Sequence, residues 1–367
     1  MISIASPIVE SEEIKAVNDV LESGMLAQGP KTAQLEEDWA KYCGTKYALA
    51  VNSGTAAIHS ALYAAGVREG DEVITTPYSF IATINPILML GARPILVDID
   101  PATFNIDVAK IEAAVTSKTK AIVPVDLYGQ PCEWDELRAV ADKHNLMIIE
   151  DACQAIGADY KGKKAGALGD LGCFSLYATK NIMCGEGGIV TTNSDEQAAA
   201  IRSFRQHGMV APYEYAELGY NYRMSDLHAA IAVEQLKKVD NFTVRRQHVA
   251  SELNKALDDI KGIQLPSVAS GRSHVYHQYT VVLTDDADVS RDEFVAGLRE
   301  RGVGAGIYYP KPLHVYPHIA KLGYKVGDFP VAEDLAARVV SLPVHPKVSD
   351  EDVITIAKAV KEVLTNG

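Results

Sequence analysis

The sequence has little of what marks several large function classes. Its five cysteines (Cys43, Cys132, Cys153, Cys173 and Cys184) are odd in number, scattered and without a C-x-x-C pair. Neither a disulfide framework nor a clustered zinc site is expected from them, and unpaired thiols in a reducing compartment fit better. Positive charge is in deficit: 35 Lys and Arg stand against 48 Asp and Glu, a formal net charge of −13. Such a surface repels phosphate backbones and anionic membranes, so neither nucleic acid nor a membrane is expected as a partner. Long apolar runs are missing too. The richest, around Ile84 to Leu90, stops at Gly91 and Arg93, well short of a bilayer span. The first residues lack a basic region and meet Glu10, Glu12 and Glu13 almost at once, which is not the pattern of a signal peptide. The expectation is a soluble, cytoplasmic protein. No Walker lysine and no G-x-G-x-x-G follows a strand-like run, which argues against a nucleoside triphosphate or a dinucleotide.

What is present is an alternation. Short runs rich in Ile and Val at Tyr47–Val51, Glu72–Thr76, Pro94–Asp98, Ala121–Val125, Met147–Glu150, Cys173–Leu176 and Gly188–Thr192 read as strands. Between them, helical patterns cover Thr55–Ala65, Phe80–Leu90, Asp107–Val115 and Glu133–His144. Buried strands separated by helices predict an α/β architecture with a mostly parallel sheet. Ser225 can cap a helix bearing Leu227, Ile231 and Leu236. Past about Asp240 the pattern changes. A polar helix (Val244–Leu257), a strand (Tyr279–Leu283), a helix (Arg291–Arg301), a run at Gly304–Tyr309 and helices at Ala332–Val340 and Asp350–Leu364 read as a smaller α+β unit. The length of 367 residues suits two domains, placed at 1–240 and 241–367.

Ligands of open parallel sheets sit beyond the carboxyl ends of the strands, so the residues there carry the chemistry. Ser53-Gly54-Thr55 joins a strand to a helix whose first N–H groups face an anion; an ordinary capped helix start is the plainer reading. Asp151 follows an apolar strand, where a carboxylate is costly unless paired. A pyridinium nitrogen is one suitable partner, and a buried salt bridge is another. No spacing of His or Cys suggests a metal. Lys180 lies between an apolar strand and Gly185-Glu186-Gly187-Gly188. Burial there would lower its pKa and free the amine for nucleophilic or proton-shuttling work, although an isolated lysine is more often a solvated charge. Ser175 could add a hydroxyl to the phosphate cradle.

Five strings taken in order resemble the sugar-aminotransferase family named after DegT, DnrJ, EryC and StrS. They are Asn52-Ser53-Gly54-Thr55-Ala56-Ala57, Glu150-Asp151-Ala152-Cys153-Gln154-Ala155, Phe174 through Lys180 to Gly188, Gly219-Tyr220-Asn221-Tyr222-Arg223-Met224 and Tyr309-Pro310-Lys311-Pro312-Leu313-His314. The resemblance implies the aspartate aminotransferase-like fold (fold type I) and pyridoxal 5′-phosphate as cofactor. Lys180 then resembles the Schiff-base lysine and Asp151 the partner of the ring nitrogen. Gln154 would lie near the ring's phenolic oxygen and Phe80 on the ring face. Gly54, Thr55 and Ser175 would hold the phosphate, joined by Asn221 from the other subunit of a homodimer. Arg223 and His314, and with less support Glu186, Gln28 and Tyr309, would face the substrate. For each polar residue, a structural hydrogen bond is the competing reading.

The implied reaction moves an amino group from L-glutamate to a nucleotide-linked keto-sugar. Tyr128-Gly129-Gln130 resembles members acting at sugar carbon 3, a string that some carbon-4 enzymes share. A sugar dehydratase of this fold replaces the lysine with histidine, which Lys180 argues against. A cyclitol or antibiotic-precursor aminotransferase and a non-catalytic regulatory member are the other readings. Asp126 and Ile156 stand where histidine is common in the family; both were expected near the cofactor or sugar.

Overall fold

The computed structural model describes residues 1–365. Seven strands form the main sheet: β1 (Tyr47–Val51), β2 (Glu72–Thr75), β3 (Arg93–Leu96), β4 (Thr119–Val123), β5 (Met147–Asp151), β6 (Leu171–Ser175) and β7 (Gly188–Thr192). Their order is β1-β7-β6-β5-β4-β2-β3. From β3 to β6 all pairings are parallel, whereas β7 runs antiparallel to both β6 and β1. The reversal has a useful consequence. β1 ends at the same edge as the parallel strands, and β7 starts there, so Val51 and Ser175 both pair with Gly188. The carboxyl ends of β1, β2, β4, β5 and β6 and the glycine-rich turn before β7 thus converge on one rim.

Apolar side chains on both faces explain the strands. Leu49, Val51, Val73, Ile149 and Val190 pack on one side with Ile58, Ala61 and Leu62 of the helix Gly54–Ala64. Ile74, Ile122 and Ile148 pack on the other with Trp134 and Leu137 of the helix Trp134–His144. Ser225 caps the helix Asp226–Leu236 by accepting the His228 N–H. That helix buries its alanines, Val233 and Leu236, while Leu227 and Ile231 are half-buried.

Beyond the helix Val239–Leu257, the strands β8 (Ile263–Gln264), β9 (Tyr279–Leu283) and β10 (Val339–Leu342) form a separate antiparallel sheet. It packs with the helices Arg291–Glu300 and Asp350–Thr365 around Phe294, Leu298, Val340, Ile356 and Val360. The amino terminus joins this layer: Ile2 exchanges backbone bonds of 2.8 Å with Gly302 and Gly304.

Two expectations are corrected. The helical reading of Ala332–Val340 fails at its end, because the β-branched pair Val339-Val340 leaves the helix Pro330–Arg338 and pairs with β9. The stretch Phe80–Leu90 is not one helix. A short turn at Ile81–Thr83 precedes the helix Asn85–Met89, where Pro86 lacks the N–H that would bond back into that turn.

Candidate active site

A cavity of about 500 Å³ opens at the convergent rim. β1 and the helix after it supply Gly54 and Thr55, the loop after β2 supplies Phe80, and β5 supplies Asp151 and, just beyond, Gln154. Ser175 ends β6, Lys180 follows it, Glu186 precedes β7, and Tyr309 comes from the C-terminal part of the chain. Nine residues singled out from the sequence therefore line one cavity.

Each is held by identifiable contacts. Ser53 caps the helix with its side chain on the Ala56 N–H at 3.1 Å, which leaves the first helical N–H groups without a partner inside the helix. Gly54 is required by space: a Cβ there would lie 2.8 Å from the Cβ of Ser175 and 3.2 Å from the Cys153 sulfur. Asp151 is buried. Its Oδ2 accepts the Thr83 hydroxyl at 2.8 Å and its Oδ1 the Cys153 N–H at 3.2 Å. With the Thr83 proton spent on the carboxylate, Ser79 donates to Thr83 Oγ1 at 2.9 Å. Gln154 accepts the Tyr128 N–H at 2.9 Å and donates to the Tyr309 hydroxyl at 3.1 Å, so both ends of its amide are fixed.

Lys180 is half-buried and borders the cavity. Burial lowers its pKa below the ordinary lysine value, an effect opposed by Cys153 and Asp151. Next to it, Asn181 donates its amide to the Val275 carbonyl at 3.1 Å. Its oxygen therefore faces His277 Nδ1, 3.2 Å away, which must carry the proton. The His277 pKa lies well below the usual value, first through desolvation and then through the charges of Lys180 and Arg246, so the ring is neutral and Nε2 is an acceptor. A half-buried amine with a lowered pKa beside a fixed carboxylate suits covalent and proton-transfer chemistry on a carbonyl compound.

The profile of the DegT/DnrJ/EryC1/StrS aminotransferase family matches residues 7–361. The spore coat polysaccharide biosynthesis protein SpsC of Bacillus subtilis is 41% identical over 98% of this chain and 96% of its own. GDP-perosamine synthase of Caulobacter vibrioides is 39% identical over 99% and 98%. The structure of Helicobacter pylori PseC, an aminotransferase of pseudoaminic acid biosynthesis, superposes with a TM-score of 0.95 at 30% identity, covering both chains completely. The chain belongs to the DegT/DnrJ/EryC1/StrS aminotransferase family. It is a transaminase of fold type I, in a family that works with pyridoxal phosphate and acts on sugars.

Seen as an aminotransferase, the chain leaves four of the selected residues outside its own cavity. Asn221 is exposed and Arg223 half-buried on a segment that bridges to Gln206 and Val51. Gln28 is half-buried beside Gly29, whose N–H is held by Asp226 at 2.8 Å. His314 is fully buried, with Nε2 3.0 Å from Glu333 and its ring against Phe329, and it does not line the cavity. The positions of the two departures also lie elsewhere. Asp126 is fully buried, takes the Cys132 N–H at 2.9 Å, and has its pKa pushed up to about 7, first by desolvation. Ile156 packs in the core.

Thr83, His277 and Tyr308 line the cavity but went unseen in the sequence, and Ser79, Cys153 and Tyr177 fell within the inspected segments without an assigned role. The four-residue spacing of Ser79 and Thr83 next to a strand end was the one available signal.

Proposed function

We propose that the protein transfers an amino group from L-glutamate to a keto-sugar carried by a nucleoside diphosphate, with pyridoxal 5′-phosphate bound at Lys180. The observation that carries this reading is Lys180 beside Asp151 in a cavity whose far wall is a helix N-terminus. The residues fit the cofactor. The Gly54–Thr55 turn and Ser175 offer N–H and O–H donors to a phosphate. Asp151, fixed by Thr83 and Cys153, offers a carboxylate to a ring nitrogen, and Phe80, 55% exposed at the rim, offers a face for stacking. When bound, the cofactor supplies a reactive aldehyde and a ring that absorbs electrons.

The chain's own residues do the rest. Burial lowers the pKa of the Lys180 amine and eases its deprotonation, so Nζ can bond the cofactor and, once displaced, carry a proton between two carbon centres. Asp151 holds positive charge at the ring nitrogen. The doubly anchored Gln154 amide positions Tyr309 over the cavity. His277, neutral with Nε2 as acceptor, adds no charge that competes with Lys180.

The proposal extends to a homodimer in which Asn221, Arg223 and Gln28 serve the neighbouring cavity, since none lines its own. His314 is left out as a direct contact because Glu333 holds it. The proposal retains the division at residue 240, supported by Val239 packing in the first core and Val249 onward in the second, and retains a cytoplasmic location. Among the described residues no helix is long and apolar enough to cross a membrane.

A glutamate-dependent assay against a panel of uridine- and deoxythymidine-diphosphate keto-sugars, with ketones at carbon 3 or 4, tests the substrate class. Turnover of a cyclitol ketone alone contradicts it, and no turnover of any acceptor favours a regulatory role. For the shared site, Lys180→Ala and Asn221→Asp protomers are mixed. Activity recovered on mixing is expected, and none despite confirmed subunit exchange contradicts sharing.

A further inference from the structure

Behind Lys180 lies a second, smaller cavity of about 20 Å³, more than the space one water-sized occupant needs. The amino-terminal strap of residues 4–8 forms one side of it. Gln235 holds the Ile8 carbonyl at 2.9 Å, Lys347 the Pro7 carbonyl at 3.1 Å, and His345 Nε2 the Ser3 carbonyl at 3.0 Å. Arg246 borders this space and is 5% exposed. Its place in sequence is unusual for a cation. Within the helix Val239–Leu257 it falls on the buried stripe of Val239, Val249, Ala250, Leu253 and Leu257.

A guanidinium in such a position needs a counter-charge or a full set of acceptors. Arg246 gives one Nη to the Tyr276 carbonyl at 3.0 Å, and its Nε has no partner. Among the described residues no carboxylate lines the cavity; its other ionisable neighbours are Lys180, His277 and His345. Asp352, whose charge acts on His345, accepts the Ser349 N–H at 2.9 Å and stands outside the lining. One permanent positive charge thus faces a small cavity with no negative charge among the described residues of its wall.

We infer that this cavity is a binding site for a small monovalent anion, with Arg246 as the cation that holds it. The size suits a halide. The cavity also shares Ala5, Thr179, Lys180, His277 and Gln278 with the main cavity, so a carboxylate of the amino donor could supply the same charge from that side. Only the carboxylate source rests on the aminotransferase reading, which labelling of Lys180 tests separately.

Crystals of the cofactor-loaded protein grown without halide are soaked in sodium bromide, with and without 2-methylglutamate, which has both carboxylates but no Cα hydrogen to lose. Anomalous bromide density beside Arg246 in both soaks identifies a free-ion site. Bromide replaced by a carboxylate in the second soak identifies the donor as the source. Water alone in both overturns the inference. In solution at constant ionic strength, exchanging gluconate for bromide is expected to raise the unfolding midpoint of the wild type but not of Arg246→Gln. An equal shift in both proteins removes Arg246 from the site, and if the variant does not fold the wild-type crystals decide alone.

Discussion

Replacing Thr83 by valine keeps the shape of the side chain and removes one hydroxyl from the floor of the cavity. That hydroxyl donates to Asp151 Oδ2 at 2.8 Å and accepts from Ser79 at 2.9 Å, with all three side chains buried. A hydrogen bond to a charged group contributes about 1.5–3 kcal/mol, and a stranded buried hydroxyl costs about 1 kcal/mol or more besides. Thr83→Val should therefore lose roughly 2–4 kcal/mol in urea unfolding of the cofactor-free protein. The total alone does not separate the Asp151 bond from general packing damage, but a double-mutant cycle with Asp151→Asn does. An amide in place of the carboxylate gives the Thr83 hydroxyl only a neutral acceptor, so Thr83→Val should cost less in that background. A coupling energy of about 1 kcal/mol or more is expected, since the charged bond is about twice as strong as the neutral one. The same variant should release pyridoxal phosphate faster in dialysis, because the carboxylate proposed to face the ring would be less firmly held. Additive costs within about 0.5 kcal/mol would refute the idea that Thr83 acts through Asp151.

Gly54→Ala should cost about 1–3 kcal/mol of stability and weaken cofactor binding, because its Cβ would meet that of Ser175 at 2.8 Å; Ser175→Gly in the same chain should recover part of the stability, and an unaffected single variant contradicts the argument. The Asp126 pKa is pushed up to about 7, and that of Glu150, bonded to the Gly166 N–H at 2.7 Å, is also raised. Because the folded state holds these protons more tightly than the unfolded chain, stability is fully present below the ordinary carboxylate range and falls as pH rises through about 7. Asp126→Asn should flatten that fall, measured as unfolding free energy against pH, whereas an unchanged slope assigns the dependence to other groups.

The strands were legible because strands covered on both faces are rich in apolar residues, and Tyr47–Val51, Tyr279–Leu283 and Gly188–Thr192 coincide with the observed elements. Asp151, at the end of an apolar strand, and Lys180, a few residues beyond another, were picked out by position, and both line the cavity. Thr83 was hidden inside an apparent helix that Pro86 breaks. His277 reaches the cavity from the strand-forming C-terminal part, across a sequence separation that no local pattern reveals. His314 lies in a motif that resembles the family's, and its side chain bonds Glu333, a partner nineteen residues on, which no local pattern reveals. Arg246, one of two adjacent arginines in a helix read as polar, gave no sign that it turns inward.

The central claim is that Lys180 is the residue that carries pyridoxal phosphate, and borohydride reduction tests it most directly. The protein reconstituted with the cofactor should be yellow, lose that colour on reduction, and yield on peptide mapping a single modified residue, Lys180. A modification on another lysine, or a protein that stays colourless with added pyridoxal phosphate and gains no label, would contradict the account.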